Sequence, residues 1–280
     1  MKAQKIDAHQ HFWNYCPEKH SWISDEMSVL KNDFLPNDLQ PNLESIEFDA
    51  CVAVQADQTE DETNFLIVLA NQNSFIKGVV GWVDLRADNL RERLEHYSQF
   101  PIVKGFRHVV QDEPDETFLL GDKFCEGIAM LEEYGFTYDI LIFAKHLNTS
   151  AEFVSKFPNQ KFVLDHISKP EIKMQKIDSW AKGIRKLAAF PNVSCKLSGI
   201  VTEADWINWN EADIESYLDV VFEAFGPERL MIGSDWPVCT LAGSYQDVMN
   251  LVIQKIKTYN SVEQDAILGG NAIEFYQLNK

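Results

Sequence analysis

Residues 161–199 read KFVLDHISKPEIKMQKIDSWAKGIRKLAAFPNVSCKLSG, and this stretch decides the fold. It opens with a short apolar run, KFVLDHIS, and closes with another, NVSCKLSG. Between them, Trp180, Ile184, Leu187 and Ala188 recur at the spacing of one helix face. Two strand-like runs joined by one amphipathic helix are a strand–helix–strand unit, whose strands pair in parallel. The pattern repeats outward in both directions. Strand candidates lie at 5–12, 50–57, 77–85, 102–110, 137–143, 161–168, 192–199 and 229–237, eight in all. Lone Pro and Gly residues mark the joins, as in FP at 100–101, YG at 134–135 and FGPERL before the last run. Asp61 and Ser244 are placed to cap two of the helices.

Eight such units over roughly 250 residues predict an α/β chain folded as a (β/α)8 TIM barrel. An open doubly wound sheet is the competing architecture, but no G-x-G-x-x-G follows the first strand. No low-complexity linker divides the chain, so residues 1–280 are expected to form one domain. Residues 14–45, with Trp22, Pro36 and Pro41, read as a long first loop able to cover the barrel mouth.

The 25 basic and 43 acidic side chains leave a formal charge of −18, which argues against nucleic acid as a partner. Five scattered cysteines without a C-x-x-C pair suggest reduced thiols. The opening MKAQKIDAHQ holds no secretory apolar segment, and no run reaches the ~18 apolar residues of a membrane span. A cytoplasmic location and a small-molecule partner are expected.

In a barrel the chemistry sits at the C-terminal ends of the strands. The polar residues expected there are His9 and His11 on the first strand, Gln55 and Asp57 on the second, and Arg107 and His108 on the fourth. Asp165 and His166 end the sixth, Lys196 and Ser198 the seventh, and Asp235 the eighth. His9 and His11, two apart, share one face of an extended strand. Charged groups are rarely buried unpaired, so their convergence on one rim points to a site able to hold or activate water beside a carbonyl.

Four ordered motifs, DAHQHFW, KGFRH, VLDHISKP and IGSDWPV, resemble the amidohydrolase superfamily and most closely its lactone hydrolases, which act on sugar-acid and dicarboxylate lactones. The resemblance runs from Ile6 to the closing GGNAIEFY. It implies that His9, His11, His166 and Asp235 are the metal ligands if a metal is bound, and that Asp235 is the water-activating base. Binuclear relatives carry a bridging Glu or modified Lys on strand four and a His on strand five; TYDILIF has no His, and Lys104 lies away from the rim. The expectation is therefore one divalent ion, zinc by ligand type, or none.

The expected reaction is opening of an aldonolactone to its free acid by water that Asp235 deprotonates. His166 serves as a ligand or as an acid, and Arg107, His108 and Lys196 are candidates to stabilise the oxyanion. Trp13 and Trp236, just past strand ends, are candidate faces for a sugar ring, with Arg107 and His108 beside them. The alternatives are a metal-dependent decarboxylase of the same superfamily or a lactonase acting on a dicarboxylate lactone.

Overall fold

The computed structural model describes residues 3–278. Eight parallel strands pair in chain order: β1 (Ile6–Gln10), β2 (Ala50–Val54), β3 (Ile76–Gly81), β4 (Val103–Val109), β5 (Thr137–Leu141), β6 (Phe162–Leu164), β7 (Val193–Leu197) and β8 (Leu230–Ile232). The ring closes just beyond β8, where Asp235 N–H donates to the His9 carbonyl at 2.8 Å and His11 N–H to the Trp236 carbonyl at 2.7 Å. This is the (β/α)8 barrel that the repeated pattern implies. Every strand is shorter than its apolar run, and at β6 and β8 the polar residues Asp165, His166 and Asp235 follow the strand's end.

The outer helices are α1 (Pro36–Ser45), α2 (Glu60–Gln72), α3 (Leu90–Tyr97), α4 (Asp122–Tyr134), α5 (Leu147–Ser155), α6 (Asp178–Ala188), α7 (Glu211–Phe225) and α8 (Tyr245–Ile256). They pack apolar faces onto the barrel's outside, as Trp180, Ile184 and Leu187 of α6 do. Ser244 caps α8, its hydroxyl accepting from Asp247 N–H. Asp61 does not cap α2. Thr59 takes that place with an extended backbone and a side chain accepting from Glu62 N–H, and Glu60, Asp61 and Glu62 fill the first turn where the helix dipole favours acids.

Inside the barrel, Ile6, Ala8, Val52, Val80, Val163 and Met231 form a small aliphatic core, closed from below by Phe275, Tyr276 and Leu278. Above it β1 changes phase. Asp7 pairs with Cys51 but Gln10 with Ala53, so three steps of β1 match two of β2. A bulge of this kind reverses which face the following side chains occupy. Ala8 packs in the inner core, yet His9 and His11 also point inward, while Phe12 joins the outer core.

Candidate active site

Asp7, Ser234 and Tyr245 fix the two ends of the site to one another. The Asp7 carboxylate accepts from Ser234 N–H (2.9 Å), Ser234 O–H (2.6 Å), Tyr245 O–H (3.1 Å) and His9 N–H (3.2 Å). Burial pushes its carboxyl up to about 6 in spite of these donors. The clasp ties β1 to the GSDWP turn, in which Asp235 takes a left-handed backbone (φ +58°). Nothing in the sequence singles out Asp7 for this role, because Ser234 and Tyr245 lie more than two hundred residues away.

His11 Nδ1 lies 2.8 Å from the Val54 carbonyl, which only accepts, so that nitrogen carries a proton and Nε2 is turned to the site. Nε2 then faces His9 Nε2 at 3.2 Å and Asp235 Oδ1 at 3.2 Å. His9 Nε2 and His166 Nε2 each stand 3.8 Å from the same carboxylate oxygen. Left to itself, burial would raise the Asp235 carboxyl, but His166, His11 and His9 outweigh it and hold it well below the usual carboxylate range. Burial also depresses His9 strongly and brings His166 to about 4, with Asp235 opposing the His166 shift, so both imidazoles are neutral at physiological pH. His9, His11 and Asp235 present ligand atoms within 4.8 Å of one another, as do His9, Asp165 and His166. The second set is already committed through Asp165. In the first, two imidazole nitrogens and a carboxylate oxygen meet at one spot, a donor set that fits a first-row divalent ion.

Beneath this cluster runs a buried ionic network. Lys196 Nζ lies 2.5 Å from Asp139 Oδ2, 3.1 Å from Asp165 Oδ1 and 3.1 Å from His9 Nδ1. Arg107 donates to Asp165 at 3.0 Å and to the Gln55 carbonyl, and lies 3.3 Å from His9 Nε2. Tyr276 O–H reaches up from the floor to Asp139 at 2.8 Å. Two cations thus balance two carboxylates, the condition for burying them. Burial alone would raise Asp165, but Lys196, His9 and Arg107 hold it well below the usual range; burial dominates at Asp139, which rises to about 6. Lys196 is spent inside the network and does not line the pocket, whereas Arg107 does.

A cavity of about 300 Å³ opens over the cluster, walled by His11, Arg107, His166 and Asp235 below and by Trp22, Asp57, Asp112 and Lys169 above. The sequence-predicted residues His9, His11, His166, Asp235, Arg107 and Lys196 therefore come together. His108 does not join them. Neighbours along a strand face opposite ways, and with Arg107 inward His108 lies outside the barrel, stacked on Phe118, donating to Glu113 at 2.6 Å and accepting from Trp82 Nε1–H. Trp13 and Trp236 are buried below the first loop, Trp13 donating to the Asn32 carbonyl and Trp236 packing on Phe34. The indole on the pocket wall is that of Trp22, set edge-on against Trp13. Asp57 is among the residues expected at the rim and Lys169 lies within the VLDHISKP motif, whereas Asp112 and the place of Trp22 on the wall are revealed only by the loops' arrival at one mouth.

The amidohydrolase family model matches residues 6–278. The chain belongs to the amidohydrolase family. It is 42% identical to an L-fucono-1,5-lactonase of Burkholderia multivorans, over 99% of this chain and 97% of that protein. A second L-fucono-1,5-lactonase, from Burkholderia ambifaria, is 32% identical over 99% and 96% of the two chains. The crystal structure of a Burkholderia multivorans amidohydrolase with bound zinc superposes with a TM-score of 0.96 at 41% identity, covering 99% of this chain and 100% of that one. In this family member the strand-one histidines and the strand-eight aspartate meet at the barrel mouth. Among the described residues no helix is long and apolar enough to cross a membrane.

Proposed function

We propose that this protein hydrolyses the lactone of a neutral sugar acid to the open-chain aldonate, with L-fucono-1,5-lactone the first substrate to test. The observation that carries the reading is the ionised Asp235 carboxylate, 3.2 Å from His11 Nε2 on the floor of an open pocket, in a chain 42% identical to a lactonase of that name. A carboxylate held ionised and facing the pocket is a base for water. Its conjugate acid lies beside His166 Nε2, which is neutral and free to pass a proton to the departing ring oxygen. Asp57 and Asp112 on the upper wall offer acceptors to sugar hydroxyls and disfavour a second carboxylate on the substrate.

His9, His11 and Asp235 would hold one divalent ion, zinc by donor type and by the precedent of the zinc-bound relative. Such an ion supplies polarisation of a carbonyl and a more acidic water. Lys196 and Asp165 orient His9 through Nδ1. The five free cysteines suit a reducing compartment, and with it a cytoplasmic enzyme.

The test is a pH-indicator assay over a panel of aldonolactones, run on protein before and after chelator dialysis. The wild type is expected to open L-fucono-1,5-lactone, and Asp235→Asn to lose about 10³-fold in kcat. Failure to turn over any aldonolactone, or release of carbon dioxide from an aromatic acid instead, would overturn the proposal.

A further inference from the structure

Three residues beyond His166 the chain returns to the mouth by an unusual route. His166, Ile167, Ser168 and Lys169 all take left-handed backbone, with φ of +54°, +47°, +64° and +45°, and none is glycine. The conformation costs an L-residue about 1–2 kcal/mol each. One bond closes the turn, Lys169 N–H donating to the His166 carbonyl at 2.8 Å. In a turn closed this way, side chains three apart fall on one side. His166 and Lys169 consequently both line the pocket, while Ile167 and Ser168 are fully buried behind them. Strain of this size is retained where a site requires the geometry.

Lys169 is also the one partly buried lysine of the pocket wall with no carboxylate at ion-pair distance; burial raises the Glu203 carboxyl, and the Lys169 charge opposes that rise without pairing with it. Lys196 is consumed by Asp139 and Asp165, Arg107 by Asp165, and Lys19, the other lysine of the wall, is exposed. Among the described residues no carboxylate oxygen forms an ion pair with the Lys169 ammonium, which stands 5.7 Å from the centre of the Phe143 ring.

We propose that Lys169 binds the carboxyl end of the substrate, donating to the lactone carbonyl oxygen and then to the carboxylate of the opened acid. The inference rests on the lactonase reading and deepens it. In that reaction the oxygen of water joins the carbonyl carbon and its proton goes to Asp235. The ring carbon–oxygen bond then breaks with its electron pair on the ring oxygen, which takes up the proton passed through His166. The acid formed ionises, so a neutral ligand becomes an anion within the same pocket. An ammonium on the wall beside His166 meets that charge.

Calorimetric titration separates this role from a structural one, using L-fuconate and the neutral alditol L-fucitol as probes on the wild type, Lys169→Met and Lys169→Arg. Lys169→Met is expected to bind L-fuconate about tenfold more weakly, one charge-assisted hydrogen bond's worth, and L-fucitol as before. Lys169→Arg should keep most of the L-fuconate affinity, and the methionine variant should show matching relief of product inhibition. Equal weakening of both probes, unchanged L-fuconate affinity, or a wild type that does not bind L-fuconate would each overturn the assignment. A wild type that binds L-fuconate but opens no aldonolactone would refute the lactonase reading and leave the anion site standing.

Discussion

Gly199 follows β7 at the point where the chain passes between His166 and Asp235, and replacing it with alanine tests the whole arrangement. Its backbone is left-handed, φ +58°, and a Cβ there would lie 2.4 Å from His166 Nδ1 and 3.1 Å from Asp235 Oδ2. Ordinary contact begins near 3.5 Å, so the imidazole has to give by about 1 Å. Two costs follow. The left-handed alanine loses about 1–2 kcal/mol, which in a chain of this size lowers Tm by roughly 2–8 °C. The displaced His166 also loses its 3.0 Å contact with Ser198 Oγ and its alignment on Asp235, and a misplacement of about 1 Å costs on the order of 10²-fold in rate. The assay is lactone hydrolysis by Gly199→Ala at a temperature well below its melting point, with the melting curve measured on the same sample. A variant melting several degrees lower yet turning over at the wild-type kcat would show that His166 has no part in the chemistry.

Other positions give independent checks. Ser168 is buried at φ +64° with its hydroxyl unpartnered among the described residues, so Ser168→Gly should raise stability by about 1 kcal/mol, read as a higher urea midpoint with kcat retained. Lys196→Met strips the cation from Asp139 and Asp165 and should cost about 3–5 kcal/mol in chemical denaturation, with Asp139→Asn in the same chain restoring part of it. Glu62, whose Oε1 accepts from Ala56 N–H, has its carboxyl pushed by burial up to about 7. The folded chain therefore holds a proton that the unfolded chain has released between the ordinary glutamate range and pH 7, so this group's contribution falls as pH rises through that window. Glu62→Gln should gain on the wild type by up to about 3 kcal/mol between pH 4 and pH 8, and a pH-independent difference in urea midpoints would refute the shift.

Much of this protein is legible in the chain itself. The barrel follows from period alone, because alternating strand and helix runs leave few ways to bury eight β-rich segments. His9, His11, His166 and Asp235 stand out because each is polar at the end of an apolar run, where only a mouth can accommodate it. Strand length is not legible where polar residues leave the sheet, as at β6, which stops at Leu164 before the left-handed turn. Tertiary structure decided the rest through three effects that a one-dimensional pattern does not encode. A bulge in β1 set the phase that turns His9 and His11 inward, strand pairing sent His108 outside while Arg107 went in, and four left-handed residues carried Lys169 back beside His166. Each depends on a backbone angle or a register fixed by neighbouring strands, and such choices are made only when the sheet closes.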